Sequence, residues 1–92
     1  MTLGNKWRKR PVVITALQWD GSPQSAEDIA AAFGRENFVI STGPPGPIAF
    51  ACCTPEGVLM VTPGDFVIQG IQREVYPCKP DIFLATYEEV TP

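Results

Sequence analysis

The stretch that decides the fold is Thr62-Pro-Gly-Asp-Phe-Val-Ile-Gln-Gly-Ile-Gln-Arg-Glu-Val-Tyr-Pro-Cys-Lys-Pro-Asp-Ile-Phe83. Within it, two short runs rich in apolar and β-branched residues are separated by turn-forming residues, a pattern typical of paired antiparallel strands. Pro63-Gly-Asp65 predicts the first turn, because proline fixes φ and glycine adopts a positive φ without steric cost. The stretch therefore predicts a turn, a strand, a second turn and a second strand, which end at a rigid corner, Pro77-Cys-Lys-Pro80.

The second turn of this hairpin joins strands predicted at Phe66–Gly70 and Glu74–Pro77. A tight turn would place Arg73 in a left-handed conformation, which costs arginine more than glycine. A longer loop through Ile71-Gln72-Arg73 is therefore expected.

The rest of the chain predicts further short strands and one helix. Strands are expected at residues 12–19, 38–42, 48–54 and 58–62, and both faces of the first are largely apolar, which indicates a central strand or one in a small closed barrel. The proline-rich loop at 43–47 is interpreted as a hairpin connection, with a polyproline docking ligand as the alternative. After the corner, Pro80–Phe83 predicts a single helical turn and Leu84–Val90 an edge strand.

The helix is predicted to begin at Ser25 in the manner of a capping box and to end at Gly34. Ile29 and Phe33 lie four residues apart on its apolar face, so the helix must pack on the sheet through them. Trp19, Val67 and Phe83 are expected to join these two residues in the core.

These elements predict an α+β fold: a bent antiparallel sheet of five or six short strands, either open or partly closed into a small barrel, with one short helix packed on it. Residues 1–10 are expected to be a flexible N-terminal arm and residues 11–92 a single globular domain.

Composition narrows the classes of function. The 92 residues carry a net charge of −3, with a pI of about 4.7, which argues against sequence-independent nucleic-acid binding. A local basic cluster, Lys6-Trp-Arg-Lys-Arg10, could form an arm for phosphate or an acidic partner, but a solvated leader is the favoured interpretation.

The absence of histidine excludes Ser-His and Cys-His dyads. No apolar run is long enough to cross a membrane, and no metal or cofactor is expected.

The three cysteines are expected to be free thiols in a reducing compartment. Cys78 is the best nucleophile candidate, because the ammonium of Lys79 could lower its pKa, yet no third group is visible to orient the pair. A structural thiol is the favoured interpretation. The carboxylates, Asp65 among them, occupy ordinary turn positions, and no pair for acid–base chemistry can be assigned.

The C-terminal stretch, together with Arg10-Pro-Val-Val-Ile-Thr-Ala-Leu-Gln-Trp-Asp-Gly21, resembles small uncharacterised proteins encoded by tailed bacteriophages and prophages. The two blocks cover roughly a third to a half of the chain. The resemblance implies a phage protein located in the host cytoplasm, and it implies no particular activity.

The function predicted from these observations is that of a non-enzymatic phage accessory protein that binds a host or phage protein. The candidate binding residues are Tyr76, Lys79 and Asp81, an aromatic and two charges presented on a backbone that two prolines restrict. The alternative for this corner is that it only locks the final hairpin against Phe83.

Alternatives for the protein are a small-molecule sponge, a nucleic-acid binder that uses the basic arm, and a small enzyme. A symmetric homodimer is also expected, because an open strand edge near Leu84–Val90 needs cover.

Overall fold

The computed structural model describes residues 4–8, 10–41 and 49–90, and within them it has six short strands and two α-helices. The elements in chain order are β1 Thr15–Gln18, α1 Pro23–Phe33, a 3₁₀ turn Arg35–Asn37, β2 Phe38–Ser41, β3 Ala49–Thr54, β4 Gly57–Val61, β5 Phe66–Gln69, β6 Val75–Cys78 and α2 Pro80–Thr86. The predicted loop at 43–47 lies outside the described residues.

The strands form two antiparallel three-stranded sheets, sheet A with the order β1-β5-β6 and sheet B with the order β2-β3-β4. The α+β class is confirmed. The single bent sheet is wrong, since the described strands divide between two sheets and neither is closed into a barrel. The division occurs at the Thr62–Asp65 turn, which is hydrogen-bonded to the backbone of Trp19. Trp19 N donates to Asp65 O at 2.9 Å, and Gly64 N donates to Trp19 O at 2.8 Å. The chain thereby leaves sheet B and pairs with β1.

The core lies between the two sheets and α1. Trp19, Ile29, Phe33 and Val67 are buried in it, as predicted. Phe50 is fully buried at its centre, with the rings of Trp19 and Phe38 at 5.2 and 5.3 Å between centroids. Phe83 is only partly buried, because it stacks on Phe66 outside this core. The prediction of Phe83 as a core residue is therefore met only in part.

Strand β1 differs from the prediction in length and in place. It spans four residues and is an edge strand, since β5 is its only partner among the described strands. Val13, expected within it, is 77% exposed. None of the four residues of β1 is buried, and the apolar residues of this segment instead line a surface groove, which residues 12–16 border on one side.

Helix α1 begins two residues before the predicted start. Ser22 is its N-cap, and the Ser22 hydroxyl accepts a hydrogen bond from Ser25 N at 3.1 Å. Pro23 suits the first helical position because its missing N–H needs no partner there. Ser25, the predicted cap, instead accepts from Asp20 N at 3.4 Å. The predicted end is confirmed at Gly34, whose φ of 99° stops the helix.

The last hairpin and the C-terminal segment give one confirmation and one correction. The β5–β6 loop runs through Ile71–Arg73, as predicted, and Gly70 N donates to Glu74 O at 2.8 Å across its base. Arg73 nevertheless adopts the left-handed conformation that the longer loop was expected to avoid, with a φ of 65°. The edge strand at Leu84–Val90 is wrong: α2 continues to Thr86, and residues 87–90 have no regular structure. Stacking of Tyr87 on Phe83, four residues earlier, favours the helical path.

Replacement of Phe33 by alanine tests the docking of α1. Phe33 is 5% exposed within the core, so Phe33→Ala should lower the free energy of unfolding by about 3–5 kcal/mol in urea denaturation. The matched control is Val13→Ala, at a side chain that is 77% exposed, which should change it by less than about 0.5 kcal/mol. Equal effects of the two substitutions would show that α1 does not dock through Phe33.

Candidate functional site

The Pro77–Pro80 corner is held by a buried carboxylate. Asp65 is 3% exposed, and its Oδ2 accepts hydrogen bonds from Thr62 N and Thr62 Oγ1, both at 2.9 Å. Lys79 Nζ lies 3.3 Å from the same oxygen and donates to Thr62 Oγ1 at 2.9 Å. The three side chains therefore form one network that joins the turn before β5 to the residue after β6.

Lys79 is held in this network but remains open to water, since 57% of its side chain is exposed. An ammonium that is already fixed loses little conformational entropy when it meets a partner group. Asp65 was predicted as an ordinary turn residue. The sequence signal that could have identified the network is the spacing of Thr62 and Asp65 in Thr-Pro-Gly-Asp. An acidic side chain at the end of such a turn can accept a hydrogen bond from the residue that begins it.

Cys78 and Asp81 lie beside this network. Burial raises the pKa of the Cys78 thiol, and the nearby carboxylates of Asp65 and Asp81 add to the increase. Lys79 therefore does not activate the thiol, because its ammonium is directed to Asp65. Cys78 Sγ instead donates to Lys79 O at 3.6 Å. Asp81 is exposed in the first turn of α2, where its charge favours the positive end of the helix.

Tyr76 lies on the outer face of sheet A, opposite Ile68 on β5. Burial raises the pKa of its phenol, with the neighbouring Tyr87 as the next cause. Both tyrosines line a shallow groove of about 390 Å³ together with Ile14 and Thr86. Among the described residues, no hydrogen bond or ion pair joins Tyr76 to Lys79 or Asp81, and of the three predicted site residues only Tyr76 lines this groove.

A larger groove, of about 480 Å³, runs between residues 12–16 and the C-terminal segment. We call it the aromatic groove, because it is lined by Phe66, Phe83 and Tyr87. Phe66 and Phe83 stack with centroids 3.9 Å apart and ring planes 12° apart, and Tyr87 continues the stack at 5.0 Å. Leu84, Glu88 and Glu89 complete the C-terminal side.

The aromatic residues singled out in the sequence divide between the two layers. Trp19 is a core residue, 2% exposed, and its Nε1 donates to Ser22 O at 2.9 Å. Phe66, Tyr76 and Phe83 are half-buried on the outer face of sheet A. Tyr87 was missed, because the sequence pattern predicted an edge strand there instead of the end of a helix.

The remaining candidates are placed more simply. In the basic arm, Lys6, Arg8 and Arg10 are exposed, and Lys9 lies outside the described residues. Within the described ranges, no three histidine, cysteine or carboxylate side chains gather as they would around a metal ion. No helix in the same part of the chain is long and apolar enough to cross a bilayer.

The Asp65 network should respond differently to the loss of each partner. Asp65→Ala leaves the amide and hydroxyl of Thr62 without their acceptor and should cost about 1.5–3 kcal/mol in free energy of unfolding. Lys79→Met removes an ammonium that is largely exposed and should cost less than about 1 kcal/mol. Urea denaturation of both variants checks the order, and a greater loss from Lys79→Met would contradict this account.

The burial of Cys52 predicts that the folded protein becomes less stable at alkaline pH. Cys52 is one of three free cysteines and is fully buried in β3, and burial raises its pKa from 9.0 to about 12, with Cys53 contributing. Because the pKa is higher in the folded state, the associated stability is complete below pH about 9 and is lost as pH rises from about 9 towards about 12. Urea denaturation across this range should show a shallower decline for Cys52→Ala than for the wild-type protein. Equal slopes would show that Cys52 ionises equally well in both states.

Comparisons with known proteins gave no relative. A scan against protein-family models found no match, and searches of curated proteins and of solved structures found none either. The candidate surfaces are therefore interpreted from their own chemistry.

Proposed function

We propose that this protein is a non-enzymatic bacteriophage accessory protein that acts by binding a partner protein in the cytoplasm of the infected host. The resemblance of its first and last blocks to phage and prophage proteins supports the setting. The aromatic groove supports binding as the activity and is the observation on which the proposal rests.

The stacked wall of the groove suits protein recognition. Phe66, Phe83 and Tyr87 present large apolar surfaces, and each side chain is already restrained by its neighbour. Aromatic side chains of this kind carry a large share of the binding energy in protein interfaces, because they bury much area for little lost entropy. Burial of apolar surface here contributes a gross hydrophobic term of about 25 cal/mol for each Å², which is partly offset by the entropy that both partners lose on association.

The corner residues do not line the aromatic groove, but they adjoin residues that do. Phe83 N donates to Lys79 O at 2.8 Å, so the aromatic stack is connected to the corner through one helical turn. Lys79 and Asp81 then offer charges at one end, and Tyr76 lies against Tyr87. In this proposal Tyr76, Lys79 and Asp81 orient a partner whose apolar side chains occupy the groove.

The charge of the groove indicates the kind of segment it accepts. Glu88 and Glu89 line its wall, so a segment with large apolar side chains and a flanking lysine or arginine complements it. The same charges disfavour nucleic acid. A small apolar molecule is the second candidate, because a groove of about 480 Å³ is within the size range of small-ligand sites.

A displayed library of random peptides tests the proposal while the partner itself is unidentified. Wild-type protein should enrich peptides that combine aromatic or large aliphatic residues with lysine or arginine. Leu84→Asp should reduce binding of the enriched peptides at least tenfold, because Leu84 is 67% exposed and lines the groove. Fluorescence anisotropy with a labelled peptide measures the loss.

The control substitution lies on the same helix. Ile82 is 57% exposed and does not line the groove, so Ile82→Asp should leave peptide binding unchanged. Equal losses from the two variants, or enrichment of peptides without apolar residues, would refute the groove as the recognition surface. Thermal shifts with apolar small molecules and no peptide binding would favour the second candidate.

A further inference from the structure

Strand β4, Gly57–Val61, is an edge of sheet B, and no other strand among the described residues pairs with its outer side. Its sequence is Gly-Val-Leu-Met-Val, without charge or proline, and its register with β3 is continuous. Val58, Leu59 and Met60 are 62%, 42% and 58% exposed. Edge strands are usually protected by lysine, proline or a bulge, because an open edge pairs readily with another chain. The β4 edge has none of these protections.

We propose that β4 pairs antiparallel with β4 of a second copy across a two-fold axis, which joins the two sheets B into one six-stranded sheet. Unpaired backbone N–H and C=O groups along an edge require an extended backbone as their partner. A second copy supplies one, and a two-fold interface makes each contact twice. The open edge that a dimer covers is therefore β4, and the segment that the sequence pattern indicated, Leu84–Val90, is not a strand.

The hydrogen-bonding pattern selects the register of this pairing. Thr54 and Gly57 close a two-residue turn, so they form a hydrogen-bonded pair, and the alternate residues Val58 and Met60 direct their backbone groups away from β3. These outward groups are matched when Val58 of one copy faces Met60 of the other. Leu59 then lies opposite its own symmetry mate as a non-hydrogen-bonded pair, and each of the two Val58–Met60 pairs exchanges two hydrogen bonds.

Charge complementarity supports the same register. It places Glu56 of one copy opposite Thr62 of the other, and Lys79 Nζ lies 2.9 Å from Thr62 Oγ1. Glu56 is exposed in the turn before β4 and makes no salt bridge with any described residue. Both ends of the paired strands therefore bring a carboxylate towards the ammonium of the other copy. A second copy is for this reason a better occupant than an unrelated apolar strand.

A pair of double variants tests both the interface and its register. In the variant Val58→Lys/Met60→Lys, each of the two Val58–Met60 pairs across the interface becomes a pair of lysines, which repel each other. In the variant Val58→Lys/Met60→Glu, each of the same pairs becomes a lysine opposite a glutamate, which attract each other. Sedimentation velocity at micromolar concentration should show a dimer for the wild type, a monomer for the double-lysine variant, and a dimer for the lysine–glutamate variant. A loss caused only by unfolding would not be restored by the second pair of substitutions.

Val39→Lys is the matched control, since Val39 is 48% exposed on β2, the other edge strand of sheet B, and this variant should remain dimeric. Thermal melting establishes that each variant folds. If the double-lysine variant does not fold, Glu56→Lys in the exposed turn decides, and it should weaken the dimer at least severalfold. A monomeric wild type, a dimer unaffected by the double lysine or by Glu56→Lys, or a monomeric lysine–glutamate variant would each overturn the proposal.

Discussion

The carboxylate of Asp65 is the constraint on which the arrangement of the two sheets depends. It is buried, and it accepts from the backbone and hydroxyl of Thr62 and from the ammonium of Lys79. A buried charge is tolerated only when its hydrogen bonds are satisfied, so these partners fix the turn between β4 and β5 in one geometry. The same turn receives β1 through the backbone of Trp19. One carboxylate therefore connects the last strand of sheet B to sheet A.

The segment after Trp19 passes close to the turn before β5, which explains why a small residue, Gly21, faces a rigid one, Pro63. Gly21 has a φ of 94°, and a Cβ placed on it would lie 3.1 Å from the ring of Pro63. A larger residue at position 21 would be strained in its backbone and would press on Pro63, in the turn that Gly64 and Asp65 join to the backbone of Trp19. Packing of Trp19 on Phe50 then carries the constraint into the core, where side chains from both sheets meet.

The sequence predicted the local elements better than their assembly. Turn residues such as Pro63, Gly64 and Gly34 act through their own backbone, so the turn before β5 and the end of α1 were predictable. The division into two sheets was not, because it depends on hydrogen bonds between Trp19 and a turn more than forty residues away. For the candidate site, Lys79 was identified from its corner, but its partner Asp65 was not, since burial of a carboxylate depends on tertiary contacts. Tyr87 was missed because a segment as short as Leu84–Val90, with mixed apolar and polar residues, is compatible with either a strand or the end of a short helix.

The two proposed surfaces lie in different parts of the fold, and this has a consequence for binding. The aromatic groove is formed by residues of β1, β5, α2 and the segments next to them, whereas the β4 edge belongs to sheet B, and the two share no residue. Pairing through β4 would therefore leave both grooves of a dimer open. A partner that carries two recognition segments, or that is itself a dimer, would then bind the second groove at a raised effective concentration. Weak binding in each small groove would be sufficient for stable capture, which suits a chain of 92 residues that has little room for a deep site.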